Sequence, residues 1–319
     1  MIDIALKYGD NLNSNIHKKT MDQIKLSISD CLKPQFPHLL RNIKKVIEKT
    51  EKDFSSKENR EDESFLWEHT LLVSTIAYEI CVTQGEPPLL PLIASLFHDA
   101  GKFHRGEYHA NNISEEQYSA ELAEQILSKQ GMKQSQIYEI TSSLESLYDE
   151  DKPMTWIAEI VHDADFLAKS GHMGIAYFFI KSTLRGHALI KSLTESLSRE
   201  MTYASVLPQN MNTETGKKRA LQKKKDILTF FKGLIKELND HGATSLEIKK
   251  IPWPCPKNNK KTIPVSLVVP SACPQCREEI RVFSSTQKGI KCTELVTDLK
   301  CIKCSWNNQT SFCLPEICP

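Results

Sequence analysis

Two segments of this chain place histidine and aspartate in strongly apolar surroundings. His69 lies within an apolar stripe that recurs at three- and four-residue spacing between residues 65 and 80. The doublet His98-Asp99 directly follows the apolar run 89–97. A single histidine in such a stripe is usually a core residue, but a charged aspartate beside it is costly to bury unless it is paired or binds a metal ion. The two segments together indicate a metal centre.

A third segment, residues 162–165, adds two carboxylates with apolar flanks. Asp163 and Asp165 lie on opposite flanks of the helical stripe, so periodicity does not decide which of them would be a ligand. Three helices that each bring histidine or aspartate to one interior can build a metal site. A mixture of imidazole and carboxylate ligands suits a divalent ion such as Mn, Mg, Fe, Ni, Co or Zn.

The elements that must position these side chains are predicted to be helices. No convincing strand precedes residue 245, and an amphipathic helix spans about residues 217–238. Ser114 with Gln117 is typical of a capping box at the start of a helix. Gly101, just after the doublet, suits the left-handed position that ends a helix. The first 240 residues are therefore predicted to be all-α.

The sequence changes character after Gly242, where prolines and short β-branched runs predict a small β-type module. Eight of the ten cysteines lie in the last 65 residues. Because we see no secretion signal, this clustering favours metal binding over disulfides. Two CxxC pairs, separated by 24 residues, predict a structural zinc site formed by Cys273, Cys276, Cys301 and Cys304. A second site from Cys255, Cys292, Cys313 and Cys318 is left open.

Composition sets broad limits on the class of protein. The chain has 319 residues, of which 40% are hydrophobic, and a net charge of +1. This length suits two domains, and no apolar run approaches the roughly 20 residues that would span a membrane. We therefore expect a cytoplasmic protein with no membrane partner. The predicted divisions are an N-terminal helical and mobile extension (1–63), a helical domain (64–242) and a cysteine-rich domain (243–319).

The run LFHDAGK at residues 96–102, with WEHTLLVSTIAYEI upstream and ADFLAK downstream, resembles the HD superfamily of metal-dependent phosphohydrolases. The resemblance implies a mainly α fold, an HD-type helical bundle, here followed by a small zinc-ribbon-like β domain. Matched position by position, it implies a set of four metal ligands: His69, His98, Asp99 and Asp165. It is this resemblance, and not periodicity, that selects Asp165 over Asp163.

Two further stretches are similar to one branch of that superfamily, small bacterial enzymes that act as nucleotide pyrophosphohydrolases. These are DADFLAKSGHMGIAYFF and the helix that follows NMNTETG. Members of that branch often carry an additional histidine where this chain has Glu115, and another in the region of SLESLYDEDKP, which has none. The absence of both favours one metal ion over two.

The resemblance also implies how the residues would act. Asp99 or Asp163 would accept a proton from the attacking water, and Lys102, one turn past the doublet, would neutralise phosphate charge. The predicted substrate-binding residues are Lys102, His104, Arg105 and His109. The implied substrate is a small phosphate compound, a nucleotide by similarity to the branch.

Two other functions compete with a phosphohydrolase. HDAGKFHR also resembles the HD nuclease segment of CRISPR effector subunits, which would make single-stranded nucleic acid the substrate. Alternatively, the chain would be a non-enzymatic scaffold whose zinc module binds a partner. A basic, aromatic patch makes nucleic acid a possible partner, formed by Lys288, Lys291, Lys300, Lys303 and Trp306. The sequence leaves the oligomeric state open.

Overall fold

The computed structural model describes residues 28–57, 65–104, 114–149, 151–256, 258–288 and 292–315. Contacts divide the chain into two compact units, Met1–Ala168 and Lys169–Pro319. This division by compactness does not coincide with the ranges 1–63, 64–242 and 243–319 predicted for the domains, and those ranges stay predictions. Each unit is described by itself below.

The first unit consists of helices around one apolar core. Its interior combines side chains such as Leu71, Phe97 and Val161, all almost completely buried. Burial of apolar surface on every helix is the main stabilising contribution to such a bundle. The helices are α1 (Leu39–Lys57), α2 (Phe65–Gln84), α3 (Leu89–Phe97), α4 (Glu115–Lys129), α5 (Gln134–Glu145) and α6 (Trp156–Ala168).

The start of α4 agrees with its sequence signature, whereas the role predicted for Gly101 is wrong. The Ser114 hydroxyl accepts a hydrogen bond from the backbone N–H of Gln117, as a capping residue does. Gly101 does not have a left-handed backbone conformation. It is needed instead for close packing, because a Cβ at this position would lie 2.3 Å from the carbonyl oxygen of Glu115.

The second unit combines helices with antiparallel strands. Its helical elements are α7 (Gly171–Leu184), α8 (Leu189–Val206), a 3-10 turn (Leu207–Asn210) and α9 (Glu214–Asp240). The strands are β1 (Leu246–Cys255), β2 (Asn258–Pro270), β3 (Ile280–Lys288), β4 (Thr293–Cys301) and β5 (Asn307–Cys313). Strands β1 and β2 form one hairpin, and β3-β4-β5 form a separate sheet in that order.

Two apolar clusters hold the second unit together. Leu197 and Phe231 from the helices pack with Val268 of the β1-β2 hairpin. This packing explains why three helices of the predicted helical domain fall in the same compact unit as the strands. The other cluster joins the two sheets and includes Val265 and Leu295.

The predicted fold class is confirmed. The part of the chain described before residue 246 contains helices and no strand, and the antiparallel sheets follow it. Among the described residues, none of the helices has the length and apolar character that crossing a membrane requires.

Candidate active site

Three helical segments of the first unit bring nitrogen and oxygen donors to one buried place. His69 comes from the first half of α2, His98 caps the end of α3, and Asp165 lies in the last turns of α6. Their donor atoms all lie within 4.8 Å of one another. His69 Nε2 is 3.0 Å from Asp165 Oδ1, and His98 Nε2 is 3.8 Å from the same oxygen. His69, His98 and Asp165, which lie far apart in the sequence, therefore lie close together in the structure.

Asp99 lies beside this group. Its Oδ2 lies 3.8 Å from His69 Nε2 and 3.7 Å from His98 Nε2. The same oxygen accepts a hydrogen bond of 2.9 Å from the Lys102 ammonium group, one turn further along the chain. Lys102 is partly exposed, so its positive charge lies between the buried carboxylate and solvent. A cation at the mouth of the site favours an anionic ligand.

The doublet is fixed by backbone and side-chain hydrogen bonds. His98 Nδ1 lies 2.7 Å from the carbonyl oxygen of Ser95, and a proton on Nδ1 would direct the lone pair of Nε2 toward the donor group. The buried hydroxyl of Ser119, on α4, donates to the carbonyl oxygen of His98 and accepts from the backbone N–H of Gly101. Helix α4 thus holds the turn that carries the doublet.

Asp165 has a second partner that the sequence did not indicate. Tyr148 donates a hydrogen bond of 2.6 Å from its hydroxyl to Asp165 Oδ2, the oxygen other than the one close to His69. Its hydroxyl end is buried, although 43% of the residue is exposed. Burial and the nearby Asp165 carboxylate raise the pKa of Tyr148 well above its usual range. The hydroxyl therefore keeps its proton and acts as a donor.

The remaining predicted residues have different surroundings. Asp163 is completely buried, and its Oδ1 lies 3.3 Å from His162 Nδ1, away from the three-donor group. The ring of His104 stacks on that of Tyr118, with centroids 3.7 Å apart, which is a packing contact. Arg105 and His109 lie outside the described residues.

The donor set fits a divalent metal ion. Two atoms that each lie about 2.1 Å from a common ion are separated by about 3 to 4 Å, depending on the angle. The distances of 3.0 to 3.8 Å between the Nε2 atoms of the two histidines and the nearest oxygens of Asp99 and Asp165 fall in this range. His69, His98 and Asp165 form the group whose donor atoms are all close to one another, and Asp99 lies at its edge. Two aspartates and two histidines buried together would be costly to desolvate without the positive charge of a bound metal ion.

Comparison with known proteins assigns this region to a family. Residues 66–169 match the family model "HD domain". This segment is an HD domain. The match begins just before His69 and ends after Asp165, so it contains the whole donor group. No curated protein matches the chain.

Several solved structures are similar to the chain over about 62 to 63% of its length. A predicted HD superfamily hydrolase from an uncultured Thermotogales bacterium is 22% identical, with 63% of this chain and 92% of that chain covered and a TM-score of 0.45. YpgQ of Bacillus subtilis in complex with ADP is 18% identical, with 62% of this chain and 96% of that chain covered and a TM-score of 0.45. An HD-superfamily hydrolase from Bacillus thuringiensis is 18% identical, with 63% of this chain and 98% of that chain covered and a TM-score of 0.46.

Outside the HD domain, the four cysteines predicted to bind zinc lie together in the second unit. The sulfur atoms of Cys273 and Cys304 are 3.6 Å apart, and those of Cys276 and Cys301 are 3.4 Å apart. Four sulfurs at about 2.3 Å from one ion would lie about 3.8 Å from each other in a tetrahedron. The backbone N–H groups of Lys303 and Cys304 both donate to Cys301 Sγ and help lower the pKa of that thiol to about 6. Desolvation and the neighbouring thiols, in contrast, raise the pKa of Cys276 to about 12. The cluster therefore favours one thiolate at Cys301. This geometry fits a zinc-ribbon-like module.

The expectation that the clustered cysteines favour metal over disulfides is wrong for part of the cluster. Cys292 and Cys313 form a disulfide, and Cys255 is disulfide-bonded as well. The strand register explains the first pairing, because Glu294 near the start of β4 is opposite Cys313 at the end of β5. Cys318 lies outside the described residues.

Proposed function

We propose that the HD domain is a metal-dependent phosphohydrolase that cleaves a phosphoester or phosphoanhydride bond of a nucleotide or a related small molecule. The observation that carries this proposal is the buried group of His69, His98 and Asp165, with Asp99 beside it and Lys102 at its mouth. A site with imidazole and carboxylate donors, next to one partly exposed cation, suits a divalent ion and a phosphate.

In this proposal each residue has a defined part. His69, His98, Asp99 and Asp165 would hold one divalent ion. When bound, such an ion lowers the pKa of a water molecule and polarises a phosphoryl group. Lys102 would stabilise the negative charge of the phosphate, through the ammonium group that now contacts Asp99. Arg105, His104 and His109 stay predicted substrate-binding residues.

The proton of the attacking water requires an acceptor, and two carboxylates are candidates. Asp99 Oδ2 lies within 3.8 Å of both histidines, whereas Asp163 contacts His162. We therefore assign proton acceptance to Asp99 first and to Asp163 as the alternative.

The substrate class rests on sequence similarity. The stretches DADFLAKSGHMGIAYFF and NMNTETG are similar to those of bacterial nucleotide pyrophosphohydrolases, and on that ground a nucleotide is our first choice.

The cysteine cluster has a separate part in the proposal. We infer that Cys273, Cys276, Cys301 and Cys304 bind one zinc ion that stabilises the second unit. Four thiolates fill a tetrahedral site and leave no position for a substrate, so this ion would have a structural and not a catalytic part.

The test is a panel of substrates and metals with the full chain. Nucleoside di- and triphosphates, cyclic nucleotides, bis(p-nitrophenyl) phosphate and single-stranded DNA and RNA are offered with Mn, Mg, Ni, Co or Zn. We expect metal-dependent release of phosphate or pyrophosphate from free nucleotides. His98→Ala should reduce that rate at least a thousandfold, because it removes a ligand. His172→Ala is the matched control, since the His172 side chain is 83% exposed in the second unit.

The same panel separates the alternatives. Internal cleavage of single-stranded DNA or RNA, with no turnover of free nucleotides, would replace the proposal by a nuclease. Turnover that His98→Ala leaves intact would contradict the assigned site. No turnover with any metal would favour a scaffold.

A further inference from the structure

Tyr148 is not one of the predicted metal ligands, but its hydroxyl forms a hydrogen bond with one of them, Asp165. Asp165 offers Oδ1 to the donor group, 3.0 Å from His69 Nε2, and its Oδ2 accepts from the tyrosine at 2.6 Å. The two oxygens of one carboxylate therefore have different partners. A carboxylate held in this way cannot rotate without breaking a short hydrogen bond.

The chain places Tyr148 at this point by local structure. It follows the end of α5, where the backbone N–H of Ser146 donates to the carbonyl oxygen of Ser142 and the N–H of Leu147 donates to that of Leu144. The Leu147 side chain is buried in the core of the first unit and anchors the segment. The tyrosine is thus presented by a fixed turn and not by a free loop.

The ring of Tyr148 has a second surface, which faces an open cavity of about 370 Å³. The same cavity is lined by Ser114, Glu116, Gln117, Glu145, Asp149 and Lys152. The hydroxyl group is thus directed to the buried donor group, and the ring lies beside solvent-accessible space.

We propose that Tyr148 is a positioning residue of the metal site, which orients the Asp165 carboxylate through its hydroxyl. The inference rests on the proposed metal site but not on any particular reaction. Removal of the hydroxyl should weaken metal binding and slow turnover.

The first measurement is metal affinity, which needs no turnover. Mn²⁺ is titrated into the full chain and followed by electron paramagnetic resonance, because thiolate sites favour softer ions and should contribute little. Tyr148→Phe should bind Mn²⁺ about tenfold or more weakly than the parent protein, a size usual for the loss of a group that orients a ligand. Tyr138→Phe, at an exposed tyrosine on α5, is the matched control and should bind as the parent does.

The second measurement is turnover at saturating metal. Tyr148→Phe should then lower kcat and leave KM within about twofold, because the hydroxyl acts on Asp165 and not on the substrate. An Mn²⁺ affinity in Tyr148→Phe equal to that of the parent protein would overturn the inference. That result would leave the proposed function intact, since it depends on turnover by the parent protein and on its loss in His98→Ala.

Discussion

The two candidate metal sites of this chain are built in opposite ways. In the HD domain, His69 and Asp165 meet although 96 residues separate them, and every donor is buried. In the cysteine module, the sulfurs come from two short turns, and Cys273 and Cys304 are only 31 residues apart. Three of the four cysteines are also partly exposed. The first site depends on the packing of a whole helical unit, while the second depends on local turns.

This difference implies different sensitivities. A CxxC turn brings two ligands together by its own backbone, so the bound ion can supply much of the stability of a small sheet. The HD donors are held by a core that forms through apolar burial. We therefore expect changes around the HD doublet to act through packing, and changes at the cysteines to act through metal content.

The largest effects should come from removing one ligand at each site, Cys301 in the cysteine cluster and His98 in the HD domain. Cys301→Ser should lower the zinc content of the purified protein by about one equivalent and destabilise the second unit, because the tetrahedral site loses a thiolate. Hydrolysis by the HD domain should stay within about threefold of the parent rate. His98→Ala should do the reverse, with the zinc of the cysteine cluster retained and hydrolysis lost. Elemental analysis and turnover on the same samples provide the check.

A strong loss of hydrolysis in Cys301→Ser, with the first unit still folded by circular dichroism, would break the comparison. It would mean that the cysteine module takes part in the reaction or in binding the substrate.

A smaller but sizeable effect is expected at the turn after the doublet. Gly101→Ala would introduce a Cβ 2.3 Å from the Glu115 carbonyl oxygen and 2.7 Å from the backbone nitrogen of Ser119. Because both neighbours are backbone atoms, we expect a loss of about 3 kcal/mol in the free energy of unfolding. Urea denaturation measures it.

Gly233→Ala is the control for this variant, since nothing lies within 4 Å of its Cβ position in the middle of α9. It should raise stability by up to about 1 kcal/mol through helix propensity. Equal stabilities for the two variants would contradict the close packing assigned to Gly101.

The smallest of the three effects is expected from Ser119→Ala. The change removes the acceptor of the buried Gly101 N–H and the donor to the His98 carbonyl oxygen, which should cost about 2 kcal/mol. Because the doublet would be held less firmly, Mn²⁺ affinity should also fall severalfold. Ser128→Ala, at an exposed position of the same helix, should change neither quantity. An unchanged Mn²⁺ affinity in Ser119→Ala would show that α4 does not hold the doublet.

Much of the fold and part of the site could be predicted from the sequence. The helical pattern before residue 246, the cap at Ser114 and the two CxxC turns are local features, and each has a local physical cause. The segments of the HD donors were also visible, because histidine and aspartate are rare within apolar stripes. Periodicity could not choose between Asp163 and Asp165.

The contacts that hold the site could not be predicted in this way. Tyr148 follows α5 in a polar segment, and nothing in its neighbourhood indicates that its hydroxyl reaches Asp165. The sequence assigns no role to Ser119, although its hydroxyl forms hydrogen bonds to both His98 and Gly101 in the turn that carries the doublet. Gly101 was assigned to a left-handed helix end, whereas its actual constraint is the approach of α4.

The sequence by itself thus determined which elements form and which residue types are available to a metal ion, because periodicity, caps and CxxC spacing act over a few residues. The family resemblance already placed Asp165 with His69, but tertiary structure alone decided that the Tyr148 hydroxyl reaches Asp165 and that Cys292 pairs with Cys313. These outcomes depend on how helices and strands distant in the chain pack together. Packing of that kind is set by the burial of many apolar side chains at once and not by any short stretch of residues.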